Sequence, residues 1–288
     1  MSEKDTVAVL GFGAMGAGIA QVCAQAGHQV VVLETSTERI EDGQERMKKF
    51  LNQSVRRGKI EEEVRDQTLE RVRGTTEVGE LAGAGIVIEA AVEDLEVKKS
   101  LLPDVAEAVG DEAIIATNTS ALSVTELAAT VPKPERFAGL HFFNPAPLMP
   151  LVEVVAAVQS STETLDALEA FSEGIGKQPV RTKDRPGFIV NRILMPYLNQ
   201  VIQAYDDGLA SAEDIDTALR LGLGYPMGGL ELLDLVGLDI HLHATSAAYE
   251  QTHEPSLAPP PLLGRMVDAG YLGRKTGRGF YEHGEEDS

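Results

Sequence analysis

The sequence predicts an α/β fold in which a doubly wound, mostly parallel sheet is followed by a smaller all-helical domain. Short apolar runs alternate with helical patterns through the first two thirds of the chain, and a glycine-rich turn joins the first run to a helix. Beyond residue 185 the apolar residues recur every three to four positions, which is typical of helices. We therefore predict an α/β domain over residues 1–184 and a helical domain over residues 185–288.

The first strand, turn and helix follow one another closely. The apolar run at residues 7–10 leads into Gly11-Phe-Gly-Ala-Met-Gly16, and the helical stretch after it stops at Gly27. A second apolar run occupies residues 30–33 and ends in Glu34. Two strands joined by one helix in so few residues pair in parallel through a right-handed crossover.

The rest of the first domain continues this alternation. The charged, glycine-poor segment at residues 37–72 predicts one or two solvated helices. A sheet of seven or eight strands is then predicted from five further apolar runs, at residues 86–88, 113–116, 137–143, 151–155 and 178–182.

The second domain has two helix signals. Residues 211–214, Ser-Ala-Glu-Asp, resemble a capping box that opens a helix. The stretch at residues 195–205 is amphipathic, and its apolar face must be covered by neighbouring helices or by a second subunit.

The charge balance excludes several classes of partner. The 288 residues include 45 acidic and 25 basic side chains, for a net charge of −20. So acidic a protein repels phosphate backbones and anionic membranes, so we expect neither nucleic acid nor membrane as a partner. A single cysteine, Cys23, a charged N-terminus and the lack of an apolar run near ~18 residues lead us to expect a cytoplasmic protein.

The glycine turn predicts dinucleotide binding on a Rossmann-type sheet. Gly11 permits the tight turn, Gly13 lets a pyrophosphate approach the backbone, and Gly16 lets helix and strand pack closely. Glu34, 18 residues after Gly16, can accept hydrogen bonds from both ribose hydroxyls and would repel a 2′-phosphate, which favours NAD over NADP. The alternative is an ordinary strand–helix turn with a solvated acid. The candidate cofactor contacts are Gly11, Gly13, Ala14, Met15, Gly16 and Glu34.

One of the six histidines lies where catalysis is expected. His141 is embedded in an apolar run just before Asn144-Pro145, at the carboxyl end of a predicted strand, which is the edge where open α/β sheets bind ligands. Glu153, a lone acid in an apolar strand, is the natural partner for its ring. A satisfied core histidine beside an edge-strand acid remains the alternative. The other five histidines lack metal-pair spacing, and we expect no metal site.

Several motifs, taken in order, resemble the L-3-hydroxyacyl-CoA dehydrogenase family, and most closely its stand-alone bacterial 3-hydroxybutyryl-CoA dehydrogenases. The resemblance runs nearly from end to end, with Glu34 where the family usually has Asp and Gly229 where many members have Pro. Besides the glycine turn, the motifs are Glu-Ala-Ala-Val-Glu-Asp from Glu89, Thr-Asn-Thr-Ser from Thr117, Phe-Ala-Gly-Leu-His-Phe-Phe-Asn-Pro from Phe137, Asp-Arg-Pro-Gly-Phe-Ile-Val-Asn-Arg from Asp184, Gly-Tyr-Pro-Met-Gly from Gly224 and Gly-Arg-Lys-Thr-Gly-Arg-Gly-Phe-Tyr from Gly273.

The resemblance implies four catalytic residues. It makes His141 the general acid/base and Glu153 its orienting partner. It makes Ser120 and Asn191 hydrogen-bond donors around the 3-oxygen of the substrate. From the residues alone, Ser120 would be a turn residue and Asn191 a polar residue near a helix N-terminus.

The resemblance also implies the reaction. Glu93 and Lys98 match positions near the nicotinamide half of NAD, and Asn118 matches one that lines the site. The expected protein is an NAD-dependent oxidoreductase that interconverts (S)-3-hydroxyacyl-CoA, in the first place 3-hydroxybutyryl-CoA, and 3-ketoacyl-CoA such as acetoacetyl-CoA. It is expected to form a homodimer through the helical domain.

A local reversal of charge supports a CoA thioester as substrate. Residues 39–59 carry seven basic and three acidic side chains, a local charge of +4 in a chain of −20. CoA carries a 3′-phosphate and a pyrophosphate, which such a surface attracts. A solvated helix face with incidental basic residues is the alternative. The candidate CoA contacts are Lys48, Lys49, Arg56, Arg57 and Lys59.

Two other functions remain open at this point. A sugar-acid dehydrogenase of the gulonate type would keep the fold and the catalytic group and leave the basic segment unused. A catalytically silent NAD-binding structural protein is the third possibility, and the intact set of Ser120, His141, Glu153 and Asn191 argues against it.

Overall fold

The computed structural model describes residues 6–284 and divides the chain into two compact units after Phe188, a few residues beyond the predicted boundary. Residues 1–5, to which the expectation of a charged N-terminus refers, lie outside the described part. Among the helices of residues 6–284, none combines the length and the apolar character needed to cross a lipid bilayer.

Within the described residues, the first unit is an eight-stranded sheet with helices on both faces, as predicted. The strands are β1 (Thr6–Leu10), β2 (Gln29–Leu33), β3 (Val72–Thr75), β4 (Ile86–Glu89), β5 (Ile114–Thr117), β6 (Phe137–Phe142), β7 (Leu151–Ala156) and β8 (Gln178–Lys183). The helices are α1 (Ala14–Gln25), α2 (Thr37–Arg56), α3 (Glu62–Glu70), α4 (Leu95–Val109), α5 (Val124–Ala128) and α6 (Thr162–Gly174).

The strand order is β3-β2-β1-β4-β5-β6-β7-β8, and every neighbouring pair is parallel except β6 with β7. The order reverses between β1 and β4, and in a doubly wound sheet the ligand crevice opens at such a switch point, outside the carboxyl ends of the strands. The side chains of β1 alternate between two cores, with Val7 and Val9 in one and Ala8 and Leu10 in the other. This is why the strands read as continuous apolar runs.

The second unit is helical, as predicted. Its helices are α7 (Val190–Asp206), α8 (Ala212–Leu223), α9 (Gly229–Val236), α10 (Leu238–Thr252) and α11 (Pro261–Asp268). Ser211 caps α8 by accepting a hydrogen bond from the Asp214 N–H, in agreement with the capping signal. The core of this unit gathers around Leu198, Ile202 and Leu230.

A buried polar cluster fastens α7 to α10. Asn199 Oδ1 lies 3.0 Å from His241 Nε2, and Asn199 Nδ2 donates to Thr245 Oγ1 at 2.9 Å. Because an amide oxygen only accepts, His241 Nε2 must carry a proton. Burial lowers the pKa of His241 to about 4.

We expect His241 to make the protein less stable in mild acid. Above the ordinary histidine pKa near 6.5 both the folded and the unfolded forms are neutral. Between pH 6.5 and 4 the unfolded chain binds a proton that the folded protein does not, so the free energy of unfolding falls, by roughly 2.5 kcal/mol at pH 4.5. H241Q keeps a donor toward Asn199 without titrating. Urea unfolding of both proteins at pH 4.5 and 7.5 should show a smaller loss in H241Q, and equal losses would contradict the assignment.

Candidate active site

The glycine turn has the geometry of a close backbone approach. Gly11 adopts a φ of +93°, and a Cβ on it would lie 2.7 Å from the Ala90 carbonyl oxygen. A Cβ on Gly16 would lie only 1.9 Å from the Gly11 carbonyl oxygen. Gly13 is exposed and a Cβ on it would meet no atom of the described chain within 4 Å. Gly11 and Gly16 therefore shape the turn, and Gly13 leaves an open backbone surface.

The end of α1 beside this surface suits a negatively charged ligand. Gly13 is the N-cap residue and supplies no side chain to cap the helix, and the first turn contains no acidic residue. Ala14 is exposed and Met15 half-buried there. The free N–H groups and positive end of a helix N-terminus bind phosphate groups.

Glu34 lies at the carboxyl end of β2, beside the glycine turn. Its Oε1 accepts the Phe12 N–H at 2.7 Å and its Oε2 accepts the Thr35 N–H at 2.9 Å. A carboxylate has about four acceptor positions, so both oxygens can still accept a ribose hydroxyl. The residues present therefore fit NAD. Sequence reasoning did not single out Arg46, whose Nη1 donates to the Phe12 carbonyl at 3.0 Å and ties α2 to the turn.

His141 and Glu153 lie directly opposite each other on the antiparallel strands β6 and β7. His141 Nδ1 is 2.8 Å from Glu153 Oε2, with Glu153 fully buried and His141 6% exposed. The rings of Phe143 and Phe188 lie 4.7 and 5.4 Å from the imidazole, between centroids. The pair predicted from the sequence is thus in hydrogen-bond contact, and the aromatic rings shield it from water.

The loop after β5 brings Asn118 and Ser120 to the same edge of the sheet. Asn118 Oδ1 accepts the N–H of Phe142, the residue after His141, at 2.8 Å. The Ser120 side chain is exposed, and its N–H donates to Glu93 Oε1 at 3.0 Å. The ends of β5 and β6 are therefore fastened together beside the imidazole.

Glu93 and Lys98 belong to a polar network that sequence reasoning did not find, in which Lys98 is buried and the Glu93 side chain is 40% exposed. Lys98 is 1% exposed, with its Nζ 2.6 Å from Glu89 Oε1 and 3.3 Å from Glu93 Oε2. Burial alone would raise the pKa of Glu93, but the Thr119 hydroxyl, the Lys98 charge and the Ser120 N–H outweigh it and hold this pKa below its usual range. The signal that could have revealed the network is Glu89 itself, an acid that ends an otherwise apolar strand.

The five candidate CoA contacts are all exposed, and they lie on α2 or just after it. A cleft of about 310 Å³ opens between α1, α2 and the loop after β6. Lys49 lines it, together with Arg46, Phe50 and Pro147. The structure does not place Lys48, Arg56, Arg57 or Lys59 along this cleft.

Asn191 lies in the second unit, in the first turn of α7, where it is half-buried. Among the described residues, no group of three or more His, Cys, Asp or Glu side chains could hold a metal ion.

Known proteins match the chain over nearly its whole length. Residues 6–185 match the NAD binding domain of 3-hydroxyacyl-CoA dehydrogenase and residues 187–283 match its C-terminal domain. A 3-hydroxybutyryl-CoA dehydrogenase of Mycobacterium tuberculosis (strain ATCC 25618 / H37Rv) is 44% identical, over 96% of this chain and 98% of its own length. The 3-hydroxyadipyl-CoA dehydrogenase of Escherichia coli (strain K12) is also 44% identical, over 98% of this chain, but the chain spans only 60% of that protein.

A solved structure also matches nearly the whole chain. The crystal structure of (S)-3-hydroxybutyryl-CoA dehydrogenase from Ralstonia eutropha matches with a TM-score of 0.94 at 41% identity, and the match covers 98% of this chain and all of the other. The chain belongs to the 3-hydroxyacyl-CoA dehydrogenase family.

Proposed function

We propose that this protein is an NAD-dependent dehydrogenase that interconverts (S)-3-hydroxyacyl-CoA and 3-ketoacyl-CoA, with 3-hydroxybutyryl-CoA and acetoacetyl-CoA as its preferred pair. The observation that carries the proposal is the buried contact of 2.8 Å between His141 Nδ1 and Glu153 Oε2 at the carboxyl edge of the sheet. The names of the family and of the similar proteins support the substrate class.

His141 moves the proton in this proposal. With Nδ1 held by Glu153, Nε2 takes the proton of the 3-hydroxyl during oxidation and returns it during reduction. NAD, when bound, accepts the hydride from C3. The Glu153 carboxylate fixes the ring and balances the charge of the imidazolium. Ser120 and Asn191 donate hydrogen bonds to the 3-oxygen as negative charge develops there.

The cofactor contacts follow from the same edge of the sheet. Gly11 and Gly16 would shape the turn, and the open backbone of Gly13 with the first turn of α1, at Ala14 and Met15, would receive the pyrophosphate. Glu34 would accept hydrogen bonds from the ribose hydroxyls, and Glu93 and Asn118 would line the nicotinamide side. Lys98 acts there indirectly, because it is buried beneath Glu93.

The substrate class can be tested by the absorbance of NADH. We expect turnover with acetoacetyl-CoA and NADH, and almost none with free acetoacetate, with a sugar acid or with NADPH. A series of 3-ketoacyl-CoA substrates from C4 to C16 then gives the chain-length preference. Faster turnover of a free hydroxy acid or a sugar acid than of the thioester would overturn the proposal.

We further propose that basic residues on and after α2 hold the phosphates of CoA, with Lys49 and Arg56 among them. Reversing both charges, K49E with R56E, should raise the KM for acetoacetyl-CoA about 10-fold at low salt and leave kcat unchanged. The control is K133E with K183E, which changes the net charge equally at exposed positions away from α2. An unchanged KM, or the same increase in both proteins, would rule out this surface.

The proposal also covers the oligomeric state of the protein and its location in the cell. The helical unit exposes large apolar side chains, among them Ile193 (68%) and Leu221 (82%), which a second copy would cover. We therefore propose a homodimer through this unit, and a monomer in sedimentation at micromolar concentration would contradict it. A cytoplasmic location fits the single buried cysteine, Cys23.

A further inference from the structure

Five side chains beneath the candidate active site form a closed ring of polar contacts. Lys98 Nζ lies 2.6 Å from Glu89 Oε1 and 3.3 Å from Glu93 Oε2. Glu89 Oε2 accepts the Thr117 hydroxyl at 2.6 Å, and Thr117 Oγ1 accepts the Thr119 N–H at 3.3 Å. The Thr119 hydroxyl donates to Glu93 Oε1 at 2.6 Å, which completes the ring.

Most of this ring is inaccessible to water. Glu89 and Thr117 are fully buried, Lys98 and Thr119 are 1% and 2% exposed, and the Glu93 side chain is 40% exposed. Among the four buried members, no water can replace a lost partner, so removal of one leaves a buried polar or charged group uncompensated and the others must move. Glu89 also accepts the Ala91 N–H at 2.7 Å, which fixes the carboxylate to the end of its own strand. Glu89 is therefore the anchored member of the ring.

One carboxylate oxygen, Glu93 Oε1, connects the ring to the backbone of Ser120. Glu93 Oε1, besides the Thr119 hydroxyl, accepts the N–H of Ser120 at 3.0 Å and of Ala121 at 3.3 Å. The opposite oxygen, Oε2, faces Lys98. The orientation of Glu93, and with it the backbone of Ser120, thus depends on where Lys98 is held.

We propose that Glu89 is a positioning residue for Ser120, acting through Lys98 and Glu93 on one side and through Thr117 and Thr119 on the other. The inference rests on the proposed function, in which the Ser120 hydroxyl donates to the 3-oxygen. A donor contributes to catalysis only when it is held within about 0.5 Å of its productive position. Glu89 touches neither substrate nor cofactor in this assignment and acts by fixing the donor.

The test is a double-mutant cycle between Glu89 and Ser120. E89Q keeps the shape of the side chain and removes its charge. We expect E89Q to lower kcat about 10-fold with little change in KM, and S120A to lower kcat about 10²-fold. In the S120A background, adding E89Q should cost less than about 3-fold, because the donor that Glu89 positions is already absent. Equal fold losses in both backgrounds would show that Glu89 acts on something other than Ser120.

A second variant covers the case in which E89Q does not fold. T117V retains both charges and deletes only the hydroxyl that reaches Glu89, so it should show the same coupling to S120A with a smaller single effect, about 3-fold. The matched control is T164V, which deletes an equally buried hydroxyl on α6, bonded to the Glu135 carbonyl at 2.8 Å. T164V should leave kcat unchanged in both backgrounds. Coupling of T164V to S120A would show that E89Q and T117V lower kcat through general destabilisation and not through the ring.

The outcomes separate this inference from the proposed function. Wild-type turnover of acetoacetyl-CoA with a slow S120A variant supports the function, and multiplicative losses then overturn only the role of Glu89. A wild-type protein without this turnover overturns both. An S120A variant as fast as wild type removes the donor role of Ser120, and the positioning role with it.

Discussion

Replacement of His141 by alanine is expected to lower the turnover of acetoacetyl-CoA by about 10²–10⁴-fold, the usual cost of losing a general acid/base. The imidazole is held by Glu153 at 2.8 Å and packs against Phe143 and Phe188, so its direction is fixed before substrate arrives. The glycine turn follows β1 and Glu34 follows β2, away from the strands β6 and β7 that carry His141 and Glu153. NADH affinity should therefore stay close to wild type, and steady-state turnover together with NADH fluorescence titration measures both quantities.

Two further variants show whether a loss of activity in H141A comes from lost proton transfer. H141A leaves the Glu153 carboxylate buried without its imidazole, so H141Q, which can still donate to that carboxylate, distinguishes lost proton transfer from lost stability. H243A removes an exposed histidine on α10 and should be fully active. Turnover by H141A at the wild-type rate would refute the acid/base role, and loss of NADH binding would place His141 in the cofactor site.

The pairing of His141 with Glu153 could be predicted because two conditions coincide in the sequence. Each residue lies alone within an apolar strand, and an isolated charge in such a strand needs a partner. The antiparallel pairing of β6 with β7, which brings the two residues opposite each other, was not among the predictions. The connection of residues 143–150 is shorter than the dozen or so residues that a parallel crossover needs, so its length was the available signal.

β3 shows the limit of predictions from apolar runs. Its sequence is Val-Arg-Gly-Thr, and among its residues Arg73 is exposed at the edge of the sheet. It pairs with β2, and its glycine fits because a Cβ on Gly74 would lie 2.2 Å from the Ile40 side chain. An edge strand buries little, so its residues carry little of the pattern that marks the central strands.

The polar ring that includes Glu89, Glu93 and Lys98 was missed for the opposite reason, because its one sequence signal, an acid that ends the apolar strand β4, is easily read as a solvated side chain. Charged side chains are almost always solvated, so an acid at the end of a strand and a lysine in the first turn of α4 read as surface residues. Asp94 caps α4 by accepting the Val97 N–H at 3.0 Å, and this start directs Lys98 toward the sheet. Only the three-dimensional register of helix and strand brings these charges together.

Replacement of Gly16 by alanine is expected to lower the affinity for NADH by more than about 100-fold. It should also reduce the free energy of unfolding by about 3 kcal/mol. The added Cβ would lie 1.9 Å from the Gly11 carbonyl oxygen, a backbone atom that cannot rotate away. The turn and α1 must therefore separate, and the surface that receives the pyrophosphate is lost with them. Urea unfolding and NADH fluorescence titration measure the two effects.

Alanine at Gly13 is the informative comparison, because the protein itself has room for it. A Cβ there meets no described atom within 4 Å, and the φ of −65° suits any residue. G13A should therefore lose no more than about 1 kcal/mol of unfolding free energy, the cost of alanine in place of glycine at an N-cap, while its methyl group, placed where the pyrophosphate approaches, weakens NADH binding about 10-fold. G174A on α6, also free of contacts, controls for the general effect of the substitution. If G13A bound NADH as tightly as G174A does, the pyrophosphate could not lie against this turn, whatever the outcome for Gly16.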